Sequence, residues 1–147
     1  MEPVAPKPIW AMALLGLSPF PVAASIYAYG PASQAAHSLG VLLTWSGVVM
    51  GFLGGIRWGV ETGTSHPRWN RLAASTVSPL AGWGLMTARP YIGDPWVITG
   101  FLVAFILQWL FDQSGPEAPA RYPRMMTILT LGACVSLALA LQTALRM

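Results

Sequence analysis

Few side chains in this sequence are suited to ionic or proton-transfer chemistry, because only 9% of its 147 residues are charged. Arg57 and Glu61 stand four residues apart, which is about one turn of a helix. Gln108 and Asp112 have the same spacing further along the chain. Charged residues inside apolar segments pair with one another or mark a functional site. We therefore predict that these four residues form one polar cluster.

The sequence leaves the partner of Arg57 open. Glu61 is one candidate, although arginine before glutamate is the less favourable order on a helix. Asp112 is the other, because an acid at a helix C-terminus gains from a nearby cation. A third interpretation is that the long arginine side chain reaches the lipid headgroups instead.

Motifs for catalysis and for bound cofactors are absent from the sequence. It contains no dinucleotide-binding fingerprint, P-loop, HExxH motif or nucleophile elbow. The single cysteine, Cys134, excludes an intrachain disulfide and any multi-cysteine metal site. In the topology predicted below, His37 and His66 lie on opposite sides of the membrane, which disfavours a shared metal or haem site. We predict no catalytic residue, no metal and no cofactor.

The composition is typical of a polytopic membrane protein. Hydrophobic residues make up 54% of the chain, and the mean hydropathy is +0.56. A helix needs about 20 apolar residues to cross about 30 Å of hydrocarbon. We predict one all-α membrane domain over residues 1–147, a bundle of five transmembrane helices spanning 9–29, 35–59, 72–88, 95–112 and 124–145.

Glycine recurs at every fourth position of the second span. Gly47, Gly51, Gly55 and Gly59 form this row, and Gly54 lies beside it. Each glycine costs a helix about 1 kcal/mol relative to alanine in water. In lipid the helix forms nevertheless, because its backbone has no other hydrogen-bond partner. Small residues allow close approach of another helix, so we predict that these five glycines are helix-packing positions.

Two Ser-Pro pairs predict kinks in the first and third spans. Ser18, Pro19 and Pro21 interrupt the first, and Ser78 and Pro79 interrupt the third. Proline lacks a backbone N–H and so frees a carbonyl one turn earlier. We favour kinks in which Ser18 or a neighbouring helix satisfies the freed groups. The alternative is a broken helix whose free carbonyls line a binding site.

Positive charge is distributed unequally between the two sides of the predicted bundle. Lysine and arginine accumulate on the cytoplasmic side of membrane proteins. With five spans, this bias places the amino terminus in the cytoplasm or its organellar equivalent. The amino-terminal side holds Lys7, Arg57, Arg68, Arg71, Arg121 and Arg124, and the other side holds Arg89 and Arg146.

The loop after the second span is basic and carries an aromatic residue. We predict that Arg68, Trp69 and Arg71 contact lipid headgroups, because arginine attracts anionic lipids and tryptophan favours the membrane interface. The arginines of the chain are few and scattered, so a nucleic-acid partner is not expected. The predicted partners are the bilayer with its anionic headgroups and either helices of other membrane proteins or a second copy of the chain.

Three segments carry a resemblance to a known family. LLGLSPFPVA at 14–23, GFLGGIRWG at 51–59 and STVSPLAGW at 75–83 resemble the transmembrane protein 69-like membrane family called domain of unknown function 3429. The resemblance spans most of the chain, and GGIRWG is its most distinctive part. It implies a small multi-pass protein of the inner (cytoplasmic) membrane, or of the mitochondrial inner membrane in a eukaryote. It supplies no catalytic residues.

The sequence is compatible with three hypotheses of function. The leading hypothesis is a non-enzymatic accessory, assembly or scaffold component that packs through its glycine-rich helix faces. The alternative is a small-solute or ion transporter or channel that uses a polar cluster around Arg57 and Asp112. The second alternative is a membrane-embedded enzyme acting on a lipid or quinone, for which the chain offers few acids and bases.

Overall fold

The structure is a computed structural model that describes residues 7–113 and 123–146, although not the side chains of 112, 113 and 123–126. Within these ranges the chain forms helices and no strand, so the predicted all-α fold is confirmed for this part of the chain. The helices are α1 (Lys7–Leu17), α2 (Pro19–Tyr29), α3 (Ala32–Thr62), α4 (Trp69–Ile92), α5 (Asp94–Gln113) and α6 (Pro123–Arg146).

The helices extend beyond the apolar segments from which they were predicted. α3 covers Ala32–Thr62, where the sequence predicted 35–59, and α4 covers Trp69–Ile92, where it predicted 72–88. The prediction used the length needed to cross the hydrocarbon, whereas helical hydrogen bonds continue into the polar residues at either end. At about 1.5 Å per residue, the 31 residues of α3 measure about 46 Å.

Two backbone carbonyls at the junction of α1 and α2 accept hydrogen bonds from side chains. Ser18, between the two helices, keeps helical dihedral angles of φ −56° and ψ −35°. Its hydroxyl donates to the carbonyl of Leu15 at 2.7 Å. Pro19 cannot donate to this carbonyl, because proline has no backbone N–H. The indole N–H of Trp45 on α3 donates to the carbonyl of Gly16 at 2.8 Å. The carbonyls of Leu15 and Gly16 are therefore occupied and do not line an open site.

The helices pack as a closed ring around an apolar core. α2 contacts α3, α3 contacts α4, α4 contacts α5, α5 contacts α6, and α6 closes the ring against α2. Phe20 of α2 and Phe105 of α5 meet edge to face inside it, with ring centroids 5.8 Å apart and planes at 82°. Around them lie further buried side chains, among them Leu39, Leu42, Leu43, Met50, Ile98, Phe101 and Leu137.

α4 runs beside α3 along most of its length, in the opposite direction. A Cβ built at Gly54 would meet Pro79, and the same construction at Gly82 would meet Gly47. Near the other end, the position of a Cβ at Gly40 lies 3.7 Å from the guanidinium of Arg89. These contacts pair the end of each helix with the beginning of the other, so α4 extends through the bundle beside α3.

Four segments of the described chain are long and apolar enough to cross a membrane: Lys7–Tyr29, Ala32–Thr62, Asp94–Phe111 and Thr127–Arg146. α4 is not among them. It carries Asn70, Arg71 and Arg89, and its Ser75 and Ser78 are buried against neighbouring helices. Five spans and a cytoplasmic amino terminus therefore stay predictions.

Candidate functional site: a basic pocket at the end of α3

Arg57 lies on the last part of α3 and contacts the end of α5. One guanidinium nitrogen donates to the backbone carbonyl of Phe111 at 3.0 Å. The guanidinium carbon also lies 4.7 Å from the centre of the Phe111 ring. The last carbonyls of a helix lack intrahelical partners and carry partial negative charge, so a cation is stabilised there. The face of an aromatic ring adds a favourable cation–π contact.

Glu61 fixes the loop that leads from α3 to α4. Its carboxylate is buried, with 6% of the residue exposed. It accepts the backbone N–H of Arg68 at 2.9 Å and a guanidinium N–H of the same residue at 3.3 Å. The Thr64 hydroxyl donates to the Glu61 carbonyl at 2.8 Å. The partner of Glu61 in the described part of the chain is therefore Arg68 and not Arg57, and this pairing holds Arg68 at the start of α4.

The other two members of the predicted polar cluster lie on α5. Gln108 is buried and accepts a hydrogen bond from the Ser78 hydroxyl of α4. It lies about one turn before Phe111, in the interior of the bundle. The side chain of Asp112 lies outside the described residues, so its pairing with Arg57 stays a prediction. The structure thus brings Arg57 and Glu61 to one site and places Gln108 deeper, on a different partner.

A pocket of about 350 Å³ opens between the end of α3, the loop after it and the end of α5. The guanidinium of Arg71 on α4 also lies over the aromatic ring of Phe111, 5.8 Å from its centre. The lining residues are Arg57, Val60, Glu61, Thr64, Ser65, His66, Arg68, Arg71 and Phe111.

The pocket is basic. Among its described lining residues are three arginines and one carboxylate. Cations remain in excess even if Asp112, which follows Phe111 in the chain, is counted as a second anion. Arg68 and Arg71, predicted as headgroup contacts, both line this pocket, whereas Trp69 between them is 90% exposed.

The contribution of Phe111 to this site was not predicted. The Phe111 ring faces two guanidiniums, and its backbone carbonyl accepts a hydrogen bond from one of them. Neither contact produces a spacing pattern in the sequence. The nearest indication was Asp112, because the argument that placed a cation near the C-terminus of α5 also applies to the carbonyl of Phe111.

Two of the predicted packing glycines contact α4. A Cβ at Gly54 would lie 2.5 Å from both Cδ of Pro79 and the carbonyl oxygen of Ser75. Pro79 leaves that carbonyl without its helical donor, and the bare backbone of Gly54 lies against it. A Cβ at Gly47 would lie 3.6 Å from Met86, which is an ordinary contact.

The other three glycines face outward. A Cβ built at Gly51, Gly55 or Gly59 would meet no atom within 4 Å. Val48 and Phe52 lie on the same side of α3 and are 53% and 67% exposed. We call the side formed by these five residues the outer face of α3. Its three glycines would meet no atom of the described chain with an added Cβ, and both of its apolar side chains are more than half exposed.

The described side chains contain no group of three histidine, cysteine, aspartate or glutamate residues placed to hold a metal ion. His66 lines the basic pocket after the end of α3, and His37 is exposed near the start of the same helix. The two histidines therefore lie near opposite ends of α3.

Comparison with known proteins gives a family and a relative. The model of a family described as "Protein of unknown function (DUF3429)" matches residues 5–142. Transmembrane protein 69 from Xenopus tropicalis is 29% identical over 140 residues, which cover 90% of this chain and 53% of that protein. The chain thus spans about half the length of this relative. No solved structure matches it.

Proposed function

The chain belongs to the DUF3429 family, the one its motifs resemble, and we propose that it is a non-enzymatic accessory, assembly or scaffold component of the inner membrane. It is a membrane protein with several apolar helices, similar to a protein named for its transmembrane segments. The proposed contact is the outer face of α3, and the proposed partner is a helix of another membrane protein or of a second copy.

The observation that supports this proposal is the division of the α3 glycines between two faces. Packing inside the chain accounts for Gly54, where a Cβ would collide with Pro79, and Gly47 lies on the same side against α4. This packing does not account for Gly51, Gly55 and Gly59, where a Cβ would meet nothing. Lipid tails fit side chains of any size, so contact with lipid alone does not require glycine. A second helix at close range does benefit from glycine, because the two backbones gain van der Waals contact.

We also propose five spans, with α4 crossing the membrane. Arg57 and Phe111 place the C-terminal ends of α3 and α5 together, so α4 must return through the bundle between them. Its 24 residues measure about 36 Å, more than the hydrocarbon thickness of about 30 Å. The hydroxyls of Ser75 and Ser78, which lower the hydropathy of α4, are buried against protein and not exposed to lipid. The lysine and arginine bias supports a cytoplasmic amino terminus.

The geometry gives less support to the transporter and enzyme hypotheses. A transport path would need Arg57 and Gln108 to face one cavity, but Gln108 is hydrogen-bonded to Ser78 in the buried interior. An acid–base enzyme would need an available carboxylate, but that of Glu61 accepts two hydrogen bonds from Arg68. No contact among the described residues favours either activity over a structural role.

The proposal is tested by placing a large side chain on the outer face. Gly51→Leu and Gly55→Leu should leave the fold intact, since a Cβ meets nothing at either position. Both should reduce the fraction of the tagged protein found in a complex after extraction in native nanodiscs, measured by mass photometry. Gly84→Leu is the matched control, because a Cβ at this glycine of α4 also meets nothing. Complexes of unchanged size and yield in both outer-face variants would rule the proposal out.

A further inference from the structure

We propose that the basic pocket at the end of α3 binds a phosphate group, with Arg71 as its principal ligand and an anionic phospholipid headgroup as its source. This inference assigns a ligand site to the chain and does not depend on a partner helix at α3. A free phosphate shares the same chemistry and is the other source that the experiment must distinguish.

The charge and geometry of the lining residues support an anionic ligand. Three guanidiniums line the pocket against one described carboxylate. A guanidinium presents a rigid fork of N–H donors that matches two oxygens of a phosphate. The carboxylate of Glu61 is already committed to Arg68, at 2.9 Å and 3.3 Å. Arg71 makes no ion pair with a carboxylate among the described residues, so it is the cation for which an added anion brings the larger gain.

Arg71 and its neighbour Arg57 are held in place before any ligand arrives. Both guanidiniums lie over the Phe111 ring, at 4.7 Å and 5.8 Å from its centre. Arg57 is further fixed by its hydrogen bond to the Phe111 carbonyl. An ordered binding group loses less conformational entropy when a ligand binds, so the ring contributes to affinity although it does not touch phosphate itself.

The size of the pocket and its polar rim fit a headgroup. Its volume of about 350 Å³ falls within the usual range of ligand pockets, about 300–1,000 Å³. The Ser65 hydroxyl and the His66 ring are exposed at its rim, where each offers a further hydrogen-bond donor.

The depth of the pocket favours a lipid as the source. α3 is about 46 Å long and exceeds the hydrocarbon by about 16 Å, so its last turns reach the headgroup layer. Trp69, 90% exposed just after Arg68, belongs to a residue type that collects at the same depth. Phospholipid phosphates are concentrated in this layer, whereas a free phosphate must arrive from solution.

Native mass spectrometry of the purified full chain tests the proposal. The protein is released from nanodiscs of phosphatidylcholine that contain a small fraction of phosphatidic acid, and the retained lipid is counted. We expect one phosphatidic acid per chain, and a loss of about tenfold or more in its retention for Arg71→Gln. Arg146→Gln, which changes an exposed arginine at the end of α6, should retain it as the unchanged chain does.

A second pair of variants tests the pocket independently, in case Arg71→Gln does not fold. Ser65→Glu adds a negative charge at an exposed lining position and should also reduce retention of phosphatidic acid. Ser33→Glu, at an exposed serine near the start of α3, should not.

Inorganic phosphate, titrated into protein in pure phosphatidylcholine nanodiscs, distinguishes the two sources. Binding that Ser65→Glu and Arg71→Gln abolish, without matching retention of phosphatidic acid, would support the phosphate site and assign it to a free phosphate. The proposal is overturned if neither probe binds, or if the pocket variants and their controls lower binding equally.

Discussion

Gly54 and Gly55 are adjacent residues of α3 with opposite surroundings. A Cβ at Gly54 would collide with Pro79 and with the carbonyl of Ser75, while one at Gly55 would meet nothing within 4 Å. Both residues belong to a glycine-rich segment that the sequence singles out as a packing surface. The sequence does not distinguish them, because which of the two packs against another helix depends on the side of α3 on which α4 lies.

We predict that Gly54→Ala destabilises the protein and that Gly55→Ala does not. A methyl group forced against backbone and a proline ring costs roughly 1–3 kcal/mol, because α3 and α4 must move apart. The comparison is a thermal unfolding experiment on both variants in the same mild detergent. Equal midpoints for the two variants would contradict the packing of α3 against Pro79.

The ion-pair partner of Glu61 could not be identified from residue spacing in the sequence. The residue four positions away, Arg57, was a candidate partner, but the structure pairs Glu61 with Arg68 across the turn after α3. The reason is that Arg57 extends to the Phe111 carbonyl of α5, a contact that only tertiary packing can create. The location of a polar site near Arg57 was therefore predictable, and its set of contacts was not.

Glu61→Gln should loosen the loop between α3 and α4. The variant loses the negative charge that holds both the backbone N–H and the guanidinium of Arg68. We expect faster hydrogen exchange at the amides of residues 64–69, measured by mass spectrometry in detergent. Asp94→Asn is the matched control, because Asp94 pairs with Arg89 at 3.0 Å at the other end of the bundle. Faster exchange in the 64–69 segment of both variants, or of neither, would count against this function for Glu61.

The two Ser-Pro pairs lie in different environments. Near Ser18, the side chains of the serine itself and of Trp45 on α3 donate to carbonyls of the preceding turn. Pro79 faces Gly54, and Ser78 donates to Gln108 of α5. The kinks stay predictions, and α4 continues as one helix from Trp69 to Ile92 through Pro79. The neighbouring helices that supply the contacts could not be inferred, because the sequence does not specify which helices are adjacent.

We predict that Trp45→Phe lowers stability more than Trp83→Phe does. The first change removes the N–H that donates to the Gly16 carbonyl at 2.8 Å, at a cost of roughly 0.6–1.7 kcal/mol for a hydrogen bond between membrane helices. Trp83 is 69% exposed on α4 and serves as the control for loss of an indole ring. Thermal unfolding in detergent gives the comparison. Equal losses would mean that the bond from Trp45 contributes nothing measurable.

Helices α2 to α6 of the described chain form a ring in which α4 is the most polar member. The sequence predicted five helical segments because long apolar runs are easily recognised. The closure of the ring by α6 against α2 was not predictable, since it depends on packing between distant parts of the chain. Ser75 and Ser78 of α4 are buried inside the ring, so part of the polar character of this helix faces protein.

A labelling experiment tests the proposed crossing of α4. In a Cys134→Ala background, Ser65→Cys and Tyr91→Cys place thiols at exposed positions before and near the end of α4. With five spans and a cytoplasmic amino terminus, a membrane-impermeant maleimide added to intact cells should label only Tyr91→Cys. In inverted vesicles the pattern should reverse, with only Ser65→Cys labelled, and both thiols should react in detergent. Labelling of both positions from the same side would show that α4 does not cross.

Photo-crosslinking in native membranes tests whether the outer face of α3 contacts another protein helix. The photoreactive residue p-benzoylphenylalanine replaces Phe52 on the outer face, or Leu131, which is 62% exposed on α6, as the control. We predict a protein adduct of defined mass from Phe52 that Gly55→Leu abolishes, and no such adduct from Leu131. Lipid adducts alone at both positions would contradict this contact.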